Sequence, residues 1–214
     1  EYAEVGRDFL RWASDDLKVY ARCSYDSKTG RFVAMMTDGM PLRWQEVRAG
    51  YYVPESFAPR NPDGCLLWAY ALAYRLTKDD AHWQMARRLA AAMGLGELGR
   101  PGGPQPLLDI KADGEDWRLI YALLDLHEAT DDRQFLHLAC LLAATAGRTD
   151  TPTGLFPRPG RQYARTGDEA PLAILHLAAA LEGRGELMPP PAFDRRYLHC
   201  EYHGRLENHQ QKRA

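Results

Sequence analysis

Apolar residues recur every three or four positions over six stretches of the chain, roughly 1–22, 63–77, 80–94, 115–129, 132–146 and 169–182, and this period predicts six α-helices. In the first stretch Val5, Phe9, Trp12 and Ala13, then Leu17 and Tyr20, set the spacing. That pattern is already running at Glu1 with no capping residue before it, so the chain reads as a single domain or as the downstream part of a longer helical one. Strand alternation is scarce. The best case is "RFVAMM", Arg31 to Met36, which predicts one arm of a small hairpin closed by Asp26 to Gly30.

The helices come in related pairs. Laid over each other, "YALAYRLTKDDAHWQMARRLAAAMG" from Tyr70 and "YALLDLHEATDDRQFLHLACLLAATAG" from Tyr121 both run apolar helix, Thr, Asp-Asp, apolar helix, Gly, and a third copy begins at Pro171. A repeat of about fifty residues, each unit a helical hairpin, buries its apolar stripe only against neighbouring units. Within a unit the link is short, Thr77 to Asp80 or Thr130 to Asp132, with Asp capping the second helix. Between units the connections are long, 23–62, 95–114 and 147–168. Antiparallel pairs then place every short link on one edge and every long connection on the other. An all-α fold of stacked hairpins, with a small β-hairpin in a long connection, is the expectation.

Charge and composition narrow the function. With 27 Lys and Arg against 29 Asp and Glu, interspersed, the chain has no basic stripe to neutralise phosphates, which argues against nucleic acid as a partner. No apolar run reaches 18 residues, which argues against a membrane span. Cys23, Cys65, Cys140 and Cys200 form no C-x-x-C pair, and Cys65 and Cys140 fall in apolar helices, which favours a reducing, cytoplasmic setting over a periplasmic one.

The long connections carry most of the candidate chemistry. Arg48, Tyr51, Tyr52, Glu55, Arg60, Lys111, Arg158, Arg161 and Tyr163 combine cations with aromatic rings on loops, as does Arg100. Guanidinium groups can grip carboxylates bidentately and tyrosine rings can pack on sugar faces, so the predicted edge suits acidic, ring-shaped ligands. Other signals have plainer readings. "LHCEYHGRLENH" places His199 and His203 four apart but matches no known zinc pattern and reads as a surface tail. His82, His127, His137 and His176 sit beside apolar neighbours and read as core or surface residues. "GRPGGPQP", from Gly99, lacks a Walker lysine and a G-x-G-x-x-G and reads as a turn-rich connector. Glu46, Glu55, Asp109, Asp113, Asp168 and Glu169 offer enough carboxylates for a hydrolase pair, and Asp168 and Glu169 also suit a helix N-terminus.

The phrases "GYYVPESFAPRNPDGCLLWAYALAYRL", "HWQMARRLAAAMGLGELG" and "GRQYARTGDEAPLAILHLAAAL" together resemble the C-terminal half of the polysaccharide lyase family 2 pectate lyases, through most of residues 40–185. The resemblance implies an α/α toroid, completed by the remainder of its own chain, that cleaves polygalacturonate by β-elimination. It implies an arginine base beside a metal-binding histidine and a divalent metal, manganese or similar, held by His and Glu. This chain has no Arg-His dipeptide, so neither the base nor the metal ligands carry over to any position here. What carries over is a subsite role for the rim residues toward an acidic oligosaccharide. A glycoside hydrolase or sugar epimerase on the same scaffold, and a helical-repeat module that binds an acidic partner, are the alternatives.

Overall fold

The computed structural model describes residues 2–42, 57–109, 116–146 and 170–189. Its helices are α1 (Tyr2–Cys23), α2 (Gly64–Thr77), α3 (Asp80–Ala92), α4 (Arg118–Thr130), α5 (Arg133–Ala146) and α6 (Ala170–Leu181). All six expected helices are present, and the fold is all-α. The chain packs α2, α4 and α6 side by side as one layer, sets α3 and α5 against α2 and α4 as a second, and lays α1 against α2 and α3 at one end. Composition explains the assignment. α2, "GCLLWAYALAYRLT", carries a single charge, Arg75, and is flanked by neighbours on several sides, whereas α3 is amphipathic and shows Arg88 to solvent. Leu67, Tyr70, Trp83, Met85, Leu89, Ile120, Leu123 and Phe135 are fully buried at the meeting of the layers.

The two short links have the same construction. Lys78 and Asp131 end the preceding helices in the left-handed region, at φ 55° and 59°. Their N–H groups donate to the carbonyls of Tyr74 and His127, at 2.8 and 2.7 Å. Thr77 and Thr130 each donate the hydroxyl to the carbonyl four residues back, at 2.7 Å in both cases. Asp79 and Asp132 each accept from the N–H two residues on, Ala81 or Gln134, at 2.9 Å. These matches set the repeat offset at 53 residues, Thr77 on Thr130 and Asp79 on Asp132. Aligning Tyr70 on Tyr121 is therefore two residues out. The paired acids mislead because Asp79-Asp80 aligns with Asp132-Arg133, not with Asp131-Asp132.

Among the described residues, two β-hairpins sit in the connections. β1 (Tyr25–Asp26) pairs antiparallel with β2 (Arg31–Phe32) around the expected turn, but the strand stops at Phe32 and does not run to Met36. Phe32 then pairs with Arg60, and Met35 with Pro41, as isolated bridges. The second hairpin, β3 (Gly96–Glu97) with β4 (Leu107–Leu108), encloses the "RPGGPQP" stretch that reads in sequence as a plain connector. Gly96 is obligatory there: its φ is 86°, and a Cβ would lie 2.3 Å from the Leu107 carbonyl oxygen.

That second hairpin corrects the expected one-sided decoration. From the end of α3 it folds back along the second layer, with β3 against α3 and β4 against α5. Trp83, in the first turn of α3, donates its indole N–H to the Gly99 carbonyl at 3.0 Å. The tip, Arg100 to Pro106, thus lies beside Thr130 to Phe135, on the edge of the short links. Leu95, Leu98 and Pro106 are buried under the hairpin, and their burial draws the connection across the molecule instead of leaving it at the edge where it begins. Among the described residues no helix is long and apolar enough to cross a membrane.

Candidate functional site

The edge where α2 and α4 begin is tied together by charge. Asp63 caps α2, accepting from the Leu66 N–H at 3.0 Å. Asp116 accepts from the Gly64 N–H at 2.8 Å and is gripped by Arg118 through Nε at 2.6 Å and Nη2 at 3.0 Å. Arg118 also lies 3.6 Å from Asp63. Its guanidinium is held more firmly protonated than usual, first by the bond to Asp116. Beside this joint the chain arrives through Arg60, whose N–H and carbonyl both bond to Phe32 at 2.8 Å. The Arg60 side chain is exposed, and its guanidinium has no hydrogen-bond or ion-pair partner among the described residues.

Further along the α2–α4 seam lies a cluster that neither repeats nor motifs single out. Trp68 stacks on Tyr121 with ring centroids 4.8 Å apart, and Tyr121 meets Trp117 and His176 edge-on at 5.7 and 5.2 Å. Trp68 donates its indole N–H to Asp125 at 2.9 Å. Arg75 approaches Asp125 at 3.2 Å as an ionic contact and also pairs with Glu128. Asp125 is only 8% exposed. Burial pushes its carboxyl up to about 6, against the pull of Arg75 and Trp68, with Glu128 adding to the rise. Burial likewise holds the His176 imidazole below its ordinary range. The available signal was Asp125 set among apolar residues of α4, with Tyr121 four positions before it and Trp117, at the N-cap, four before that, on one face.

The two kinds of arginine are chemically distinct. Arg75 and Arg118 are each committed to two carboxylates, so neither offers a vacant fork to an anionic ligand. Arg60 does. Apart from Arg100 and Asp109, it is the one sequence candidate the structure describes; Arg48, Tyr51, Tyr52, Glu55, Lys111, Arg158, Arg161 and Tyr163 lie outside the described residues, as does the histidine-bearing tail. Arg100 stands apart from Arg60, on the opposite edge. There the hairpin tip and the start of α5 enclose a groove of about 370 Å³ whose walls include Arg100, Gln105, Asp131, Arg133 and Gln134. Histidines read as core or surface divide accordingly: His82 is buried, His137 is exposed, and His127 contacts the Asp132 carbonyl at 3.1 Å. Among the described residues no group of three or more His, Cys, Asp or Glu side chains is placed to hold a metal ion.

Against known families, the model described as periplasmic pectate lyase matches residues 1–201.

Proposed function

We propose that this chain, which belongs to the periplasmic pectate lyase family, cleaves polygalacturonate by β-elimination and forms one wall of the substrate cleft. The family match over 201 of 214 residues carries the reading. Membership supports a polysaccharide-degrading lyase and a periplasmic setting; the cytoplasmic preference drawn from the cysteines gains nothing from it. Cysteines at intermediate burial outside any disulfide, such as Cys23, Cys65 and Cys140, say little about compartment because partial burial itself protects them.

In the reaction a base removes the proton alpha to the uronate carboxylate. The electron pair left on that carbon forms the 4,5 double bond as the glycosidic C–O bond at C4 breaks, and the leaving oxygen takes a proton. Cations lower the barrier by stabilising the charge that spreads onto the carboxylate. Arg60 suits a neighbouring task. Its backbone is pinned to Phe32 while its guanidinium has no partner among the described residues, so it can receive a uronate carboxylate without first giving up another ion pair. Arg48, Lys111, Arg158 and Arg161 are proposed for the same pairing, Tyr51, Tyr52 and Tyr163 for packing on sugar faces, and Glu55 for accepting from sugar hydroxyls. The base is assigned to no residue of this chain. The divalent metal of the proposal finds no ligand set among the described residues and would be held by others.

The test is incubation of the complete protein with polygalacturonate and a divalent metal, followed by ultraviolet absorbance. A rise from a 4,5-unsaturated uronate is expected. New reducing ends without that chromophore would instead identify a hydrolase.

A further inference from the structure

α1 is held to the rest of the molecule by an unusual seam. Of its 22 residues only Ser14 is buried. Its largest apolar side chains face away, with Tyr2 94%, Phe9 59% and Trp12 57% exposed. Leu17, Tyr20 and Ala21 pack on the core from partly buried positions. The remaining attachments are polar. Ser14 Oγ lies 2.8 Å from His82 Nε2, Tyr70 donates its hydroxyl to the Leu17 carbonyl at 2.8 Å, and Lys18 pairs with Asp79 at 2.6 Å.

His82 stands at the centre of these contacts. It is fully buried, beside the Tyr70 ring at 6.1 Å, and its Nδ1 has no partner among the described residues. The charged groups around it are Lys18 from α1, with Asp15 and Asp16 on the same helix, and Asp79 and Asp80 from the link and the start of α3; the phenols of Tyr70 and Tyr20 lie near them. A neutral imidazole satisfies Ser14 through Nε2. With the neutral ring's proton taken to sit on Nε2 and donated to Ser14 Oγ, a second proton would place a buried N–H on Nδ1 that has no acceptor among the described residues, the two Asp79 oxygens being bonded to the Ala81 N–H and to Lys18.

We propose that the seam between α1 and α3 is a proton-operated latch, closed while His82 is neutral and released when it takes up a proton. Desolvation holds the His82 imidazole below its ordinary range, with Lys18 assisting and Asp79 opposing. Undocking α1 opens the ring to water and restores ordinary basicity, so the released form binds more protons. The linkage follows: docking is strongest above about pH 6.5, the unperturbed value, and weakens as the pH falls below it. Release frees an amphipathic helix, so acidification exposes a surface that neutral pH holds in place. The latch rests on the seam alone and not on the lyase reading.

Hydrogen exchange of the full chain tests it. After correction for the chemical rate, α1 amides are expected to exchange faster relative to α4 and α5 between pH 7.5 and 5.5, by up to about tenfold per pH unit, the limit for one linked proton. His82→Gln, which keeps a hydrogen-bonding group for Ser14 but cannot titrate, is expected to remove that pH dependence. Exchange in the native protein that does not vary with pH, or a variant with the same dependence as the parent, overturns the proposal. If the variant does not fold, the His82 ring can be titrated by NMR in the native protein. Titration coinciding with α1 loosening supports the latch; titration at the ordinary value with α1 still docked rejects it.

Discussion

Asp125 shows what one residue does when burial and pairing compete. An Arg beside a carboxylate ordinarily lowers its pKa, yet here desolvation prevails and the carboxyl is pushed up to about 6. Because the native state then holds the proton more tightly than the unfolded chain does, this group costs stability above about pH 6. The cost fades as the pH falls toward the ordinary carboxylate range, and a two-unit shift is worth about 3 kcal/mol. Asp125→Asn keeps an acceptor for the Trp68 indole and removes the buried charge. We expect its urea stability at pH 7.5 to match or exceed the parent's, with the difference shrinking as the pH is lowered from 6 toward 4; His82 contributes equally to both proteins and cancels. A difference that does not change with pH, or a variant markedly weaker at pH 7.5, would contradict this account. An acid among the leucines of "YALLDLHEA" is visible in sequence, but its contact with Trp68, 57 positions away, is not.

At the scale of elements, the helices follow from period and caps, and the joints between them from side chains that meet across the repeat. Asp63, Asp79 and Asp132 all cap as their positions suggest. The joint between the starts of α2 and α4 was not legible, because it depends on Gly64 having no side chain: a Cβ there would lie 2.6 Å from Asp116 Oδ2. Asp116 cannot easily yield, since Arg118 and the Gly64 N–H both hold it. Gly64→Ala is therefore expected to lose about 1–3 kcal/mol by overpacking, outweighing the gain of up to about 1 kcal/mol that alanine offers inside a helix. In an Asp116→Ala background the same change should become neutral or favourable. A double-mutant cycle by thermal or urea unfolding measures this, and a cost unchanged in that background would rule out the clash.

For the whole molecule, ligand linkage joins fold to function. If the wall described here binds uronate chains, oligogalacturonate at about a hundred times its dissociation constant should stabilise the protein by about 2.7 kcal/mol, read as a rise in Tm. Arg60→Ala should leave the ligand-free Tm nearly unchanged, because among the described residues Arg60 serves the fold through its backbone alone, while weakening binding about tenfold or more through loss of a charge-assisted pair. An equal Tm rise in parent and variant would remove Arg60 from the site. The sequence by itself determined the six helices, the hairpin repeat, the short-link caps and the family, since each depends on local period, local backbone chemistry or a pattern that spans the chain. Only the tertiary structure decided the repeat offset of 53, the return of the second hairpin to the opposite edge, the burial of Asp125 and His82, and which arginines are already paired. Those depend on which distant residues touch, and burial and pairing energies arise only when packing brings them together.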